Sequence, residues 1–202
     1  MAKQLTRRNL IHKTATLLTA GVIAPGLVFA ADAVNTDQGD PGVVYIPAGS
    51  GKKGKISRTD VEFKLDKSQT SGSFGSLELT IPPGTLGAPP HFHKTFDETC
   101  IVLEGEITIM VEKEIFKVGK GGWHLRPRGK VHTFWNNGPA TAKVIEICSP
   151  GGHEAYMAEL VKSFENGNHP DQAFMKNLAD KYDIVFRFDL LGDIIKTYGV
   201  SL

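Results

Sequence analysis

Two histidines one residue apart constrain this chain more than any other feature. They open the stretch PPHFHKTFDETCIVLEGEITI, residues 89–109, in which a glutamate stands five places after the second histidine and a glycine follows. In a β-strand, residues i and i+2 point to the same face, so His91 and His93 both look inward while Phe92 looks away. The four residues Lys94 to Asp97 suffice for a turn that returns Glu98 to the same interior. Imidazole nitrogens beside a carboxylate oxygen suit a first-row transition metal. A third histidine comes from GGWHLRPRGKVHTFWN, where His132 stands on a strand that follows a Pro-x-Gly turn.

The first thirty residues read as an address label. Lys3, Arg7, Arg8 and Lys13 precede an interrupted apolar run, no acid occurs, and Val28-Phe29-Ala30 is a small-x-small cleavage pattern. The segment 1–30 is expected to be a secretory signal. TRRNLIHK resembles a twin-arginine signal, and the apolar core is too short and broken for a membrane span. Removing it takes four of the 23 basic residues and none of the 22 acidic ones, leaving a formal charge of −3. No footprint for nucleic acid remains. The expected location is periplasmic or otherwise exported, with no membrane span after cleavage.

A polar leader over 31–42 precedes short β-prone segments separated by Gly and Pro clusters, as in a sandwich or small barrel. Strands are expected at Val43 to Ile46, Ile56 to Phe63, Ser73 to Ile81, Glu98 to Leu103, Ile107 to Val111, Trp123 to Arg126, Val131 to Trp135 and Lys143 to Ile147. VEKE reads as a tight hairpin. Beyond Gly151-Gly152, Tyr156, Leu160, Val161 and Phe164 share one helical face, as do Phe174, Leu178 and Tyr182, before the apolar run IVFRF. The expectation is a mainly β domain over 43–150 and a small helical extension over 151–202 packing on it. The length after the signal fits one domain.

The two motifs together resemble the cupin superfamily. Its first motif is Gly, five residues, His-x-His, three or four residues, Glu, six residues, Gly, and His91, His93, Glu98 and Gly105 fit it. The leading Gly is replaced by Thr85, with Gly84 and Gly87 nearby. The second motif is matched by Gly121, Pro127, Gly129, His132 and Asn136. The resemblance implies a jelly-roll-like barrel of the double-stranded β-helix kind. SGSFGSLELTIPPG, ETCIVLEGEITI and CSPGGHEAYMAEL are further similar to single-domain, quercetinase-like cupins. That implies a metal held by His91, His93, Glu98 and His132, with Glu98 also the base for a substrate hydroxyl, and a dioxygenase reaction on a flavonol-like compound. This chain has His153 where that family often has an aromatic residue.

Other residues leave alternatives. Phe134 shares the His132 face and either lines an aromatic pocket with Phe96 or fills the core. Arg126 either points inward to bind an anionic substrate or ends a strand in solvent. Glu146 lies on the face opposite Lys143, and if inward it is a further carboxylate at the site. His153 and His169 are expected on the surface of the tail. Cys100 and Cys148 are too few for a disulfide framework and permit one bond at most. The function expected is an exported metal-dependent dioxygenase acting on a small phenolic or enolic substrate. The alternatives are a cupin isomerase, a decarboxylase or a non-catalytic binder. One divalent transition metal is expected, Mn or Fe favoured over Ni, Co, Cu or Zn. Dioxygen is an expected partner, and exposed edge strands suggest a homodimer.

Overall fold

Runs rich in Val, Ile, Thr and aromatic residues form the strands of the computed structural model, which describes residues 42–202. The expected signal, and the leader up to residue 41, lie outside the described residues. In chain order the strands are β1 (Lys52–Ile56), β2 (Thr59–Leu65), β3 (Gly75–Ile81), β4 (Thr85–Leu86), β5 (His91–Phe92) and β6 (Asp97–Glu104). They continue with β7 (Glu106–Val111), β8 (Glu114–Gly119), β9 (Trp123–Arg126), β10 (His132–Asn136), β11 (Ala142–Ser149) and β12 (Val185–Phe186). Three helices follow the main β region: α1 (His153–Phe164), α2 (Gln172–Lys181) and α3 (Leu191–Tyr198).

The strands form two antiparallel sheets. One runs β1-β2-β3-β11-β6-β9, and the other runs β12-β5-β10-β7-β8 with β4 also on β10. Among the described residues the sheets do not join into a closed ring of hydrogen bonds, so the expected barrel is a jelly-roll-like sandwich of two sheets. Its core lies between them, built from Leu77, Leu79, Ile81, Val102, Ile109, Val144 and their neighbours. Alternation sets what enters that core: in β6 Glu98, Cys100 and Val102 are buried, and in β11 Ala142, Val144, Glu146 and Cys148 are.

Some expected elements differ. Val43 to Ile46 forms no strand, and Val43 and Tyr45 are 103% and 84% exposed. An apolar run with no face to bury gains nothing from pairing. Ile56 to Phe63 is split between β1 and β2 by a turn in which Ser57 takes φ 50°. VEKE does make the hairpin between β7 and β8, with Glu112 at φ 56°. The terminal extension is not wholly helical, because β12 pairs with β5.

Two glycines hold positions that a side chain cannot occupy freely. Gly105 turns β6 into β7 at φ 71°, and a Cβ there would stand 2.8 Å from the Thr141 carbonyl oxygen. Gly129, at φ 75°, closes the turn after Pro127 and donates its N–H to the His93 carbonyl at 2.6 Å. That bond ties the two histidine-bearing segments together.

α1 packs on β1 and β3 of the first sheet, and α3 packs on the second. Tyr156, Leu160, Leu178, Ala179 and Ile184 form one buried cluster, as the helical periodicity predicted for Tyr156, Leu160 and Leu178. Phe174 remains 39% exposed. Ile194 of α3 packs with Leu86 and Trp135, which is fully buried. Asp171 caps α2 by accepting the Phe174 N–H at 2.7 Å. No helix among the described residues is long and apolar enough to cross a membrane.

Candidate metal centre

Four side chains from three strands and one connecting turn meet inside the sandwich. His91 stands on β5, His93 just beyond it, Glu98 on β6 and His132 at the start of β10, where its Cα pairs with that of His91. All four are buried, at 6%, 1%, 5% and 1% exposure. A ligand atom from each lies within 4.8 Å of every other. Donors bound to one metal at about 2.1 Å stand at most about 4.2 Å apart, so small side-chain shifts would close the cluster on an ion.

The hydrogen bonds fix which nitrogens face the centre. His91 Nδ1 lies 2.7 Å from the Pro89 carbonyl oxygen, His132 Nδ1 lies 2.9 Å from that of Lys130, and His93 Nδ1 lies 3.3 Å from that of Asp183. Each ring donates from Nδ1, which leaves the Nε2 lone pair directed inward. His93 Nε2, His132 Nε2 and Glu98 Oε2 are buried without a hydrogen-bond partner. His132 Nε2 and Glu98 Oε2 are 2.9 Å apart, close enough to share one ion. Three orphaned donor atoms of this kind are what a divalent transition metal satisfies, so the cluster is able to hold one.

Electrostatics prepares the same state. Burial, with the neighbouring imidazoles, holds His91 well below the usual histidine range, and burial lowers His93 to about 3. Neutral imidazoles are the ligating form. Burial alone would push Glu98 up, but the Arg126 charge, His132 and His93 outweigh it and hold the carboxyl well below its usual range. Asp183 supports the site from outside, accepting from the Lys94 and Thr95 amides and the Thr95 hydroxyl at 2.7–2.9 Å.

Beside the cluster lies a cavity of about 160 Å³, with His91, Glu98, Glu146, Phe134, Tyr156 and Phe186 among its walls. The placement of the other expected pocket residues is mixed. Phe134 and Glu146 do border the cavity. Phe96 does not; its ring stacks on His93 with centroids 3.9 Å apart. Arg126 is neither a solvated strand end nor a cavity wall. It is 1% exposed, with Nη1 3.4 Å from Glu98 and Nη2 bonded to Glu146, because two buried carboxylates need a cation between them. His153 is not on the surface: its side chain is 10% exposed, borders the cavity and lies 3.8 Å from Glu98. Sequence reading missed His153, Tyr156, Met157 and Phe186 as wall residues. The His153 departure from the family pattern was the one signal that pointed there. His169 is exposed, and Cys100 and Cys148 are both buried free thiols.

Comparison with known proteins agrees with the two-sheet fold. Residues 77–148 match the cupin domain family Cupin_2. Over 104 residues the chain is 33% identical to a Myxococcus xanthus protein named endoribonuclease YbeY, covering 49% of this chain and 35% of that one. Over 73 residues it is 34% identical to an uncharacterized protein of Aquifex aeolicus, covering 35% of this chain and 60% of that one. The chain thus spans less than two thirds of the length of either relative. Among solved structures, KdgF from a Halomonas species superposes with a TM-score of 0.50 at 16% identity, over 56% of this chain and 99% of that one. A predicted oxalate decarboxylase from Thermotoga maritima gives 0.50 at 16%, over 53% and 99%. At such identities these two show the fold alone. With the matched segment, the paired histidine motifs and the two-sheet sandwich in agreement, residues 77–148 form a single cupin domain of the cupin-2 type.

Proposed function

We propose that this chain is an exported, metal-dependent dioxygenase that acts on a small phenolic or enolic compound. The observation that carries the reading is the placement of the three-histidine, one-glutamate cluster against a largely apolar cavity. His91 and Glu98 belong to both. A redox-active divalent metal, when bound, supplies a Lewis acid for a substrate oxygen and a path for electrons to dioxygen. Mn or Fe is the favoured ion.

The chain's own residues do the rest. Leu77, Leu79, Phe134 and Tyr156 form an apolar wall that accepts a flat ring and excludes water. Glu98, ionised and bordering the cavity, is placed to take the proton of a substrate hydroxyl. Charge favours the resulting anion. Three neutral imidazoles and Glu98 around a divalent ion, next to the Arg126 guanidinium, leave the interior cationic even with Glu146 ionised. An occupant with one negative charge lowers that excess. In a dioxygenase both oxygen atoms end in the product, so the substrate is the only reductant required.

A second reading rests on Glu98 and Glu146. Two buried carboxyls with opposite proton affinities can move a proton without consuming dioxygen, which fits an isomerase or decarboxylase. One experiment separates the readings. Protein recovered from the periplasm without chelator, its intact mass lacking Met1–Ala30, is analysed for metal and screened by oxygen electrode against phenols and enols. About one Mn or Fe per chain with oxygen uptake supports the proposal, and substrate turnover without uptake moves it to the second reading. Full-length protein confined to the cytoplasm would overturn export. His132→Ala should cut bound metal at least tenfold, and full occupancy in that variant would overturn the ligand set.

A further inference from the structure

The cavity has a second polar pole that the histidine cluster does not use. On β11, Cys148 is the Cα partner of Glu98 and Glu146 that of Cys100, so the two glutamates sit diagonally on one interior face. One guanidinium joins them: Arg126 Nη1 faces Glu98 and Nη2 bonds Glu146 Oε2. The other oxygen of Glu146, Oε1, is buried without a hydrogen-bond partner of ordinary geometry. The Cys100 thiol beside the carboxyl is a weak donor and does not satisfy it. An unmet acceptor of this kind, in a residue 5% exposed, is costly unless something supplies a donor. Glu146 borders the cavity, and its neighbour across the sheet on β3 is Leu77, also a wall residue, which offers no side-chain donor. A hydroxyl of the occupant is able to supply that donor.

We infer that Glu146 is a specificity-determining residue that accepts a hydrogen bond from a second hydroxyl of the substrate. The preferred compounds are small uncharged rings or enols with two neighbouring hydroxyl oxygens. One oxygen goes to Glu98 and the histidine cluster and the other to Glu146. The inference rests on the reading of the cavity as the substrate site. Neighbouring oxygens are required because Arg126 is a rigid planar fork that holds the two carboxylates on adjacent nitrogens. No Lys or Arg is among the described residues that line the cavity while two glutamates are, so the wall offers carboxylate acceptors and the occupant brings the hydroxyl donors.

The test reads binding and not turnover, so it stands apart from the dioxygenase proposal. Metal-loaded protein is titrated calorimetrically under anaerobic conditions with phenol, 1,2-dihydroxybenzene, 1,4-dihydroxybenzene and 2-methoxyphenol. The 1,2-diol should bind at least tenfold more tightly than phenol, and the 1,4-diol and the methyl ether within threefold of phenol. In Glu146→Leu the preference for the 1,2-diol should fall to within threefold while phenol affinity holds, with metal content and melting checked alongside. Should that variant fail to fold, the methyl ether decides the matter on the unaltered protein. A 1,2-diol no tighter than phenol, a methyl ether as tight as the diol, or a preference that survives Glu146→Leu would each overturn the inference. If the preference holds and no phenol or enol drives oxygen uptake, the binding role stands and the dioxygenase proposal fails.

Discussion

Glu98 and Glu146 are the same residue type, each 5% exposed, and each touches the same arginine, yet their proton affinities part. Burial raises both, but Glu98 also feels inward-facing histidines and stays ionised, whereas Glu146 feels the Glu98 charge and rises to about 7. A carboxyl whose folded pKa exceeds its unfolded value near 4.5 binds more protons in the native state. Its stability contribution is therefore present below pH 4.5 and lost as pH climbs through 7. His91, His93 and His153 act in the opposite sense: lowered in the fold, their contribution is lost as pH falls below 6.5. Comparing the unaltered protein with Glu146→Gln cancels the histidines. In chelator-treated protein, denaturant unfolding at pH 5 and pH 8.5 should show the variant gaining about 3 kcal/mol relative to the parent. An unchanged difference between the two pH values would mean that Glu146 is ionised throughout.

At the scale of elements, the site depends on a segment far away in sequence. Asp183, between α2 and β12, accepts three hydrogen bonds from the turn at Lys94 and Thr95, and its own carbonyl meets His93 Nδ1. Asp183→Ala should cost about 1–2 kcal/mol in thermal or denaturant unfolding, since these groups are partly solvated. The Asp183 carbonyl remains, but without the side chain's hold on the turn it is less firmly placed against His93, and metal binding should weaken by about 10-fold. Metal affinity unchanged from the parent would show that His93 needs no such support. The gathering of these four side chains was legible in the sequence because it is encoded locally: i,i+2 spacing at His91 and His93, a four-residue turn to Glu98, and Pro127-x-Gly129 ahead of His132. The second layer was not legible. Whether Arg126 meets solvent or Glu146, and whether His153 enters the cavity, depends on how β9, β11 and α1 pack, and no local spacing records that. The failed strand at Val43 shows the converse, since β-propensity without a partner leaves a run in solvent.

At the scale of the molecule, the sequence suggested a cupin domain with an appended tail, and the packing binds the two more closely than that division implies. β12 pairs with β5 beside His91, and α3 covers Leu86 and the fully buried Trp135. Ser201 bonds Leu86 and Gly84, and α1 sets His153, Tyr156, Met157 and Leu160 into the cavity wall. A cavity whose walls run from Ile56 to Leu202 is not finished when β11 ends. Deleting 151–202 uncovers several large apolar side chains, each worth about 1.5–3 kcal/mol when buried. A domain of this size is stable by only about 5–15 kcal/mol. The fragment 31–150 should therefore be insoluble, or expanded and dye-binding without a cooperative melt, whereas 31–202 should melt in one step. Near-ultraviolet circular dichroism and calorimetry read the difference directly. A fragment that melts cooperatively at the parent temperature and binds one metal per chain would make the tail a detachable accessory, and the cavity a property of the sandwich alone.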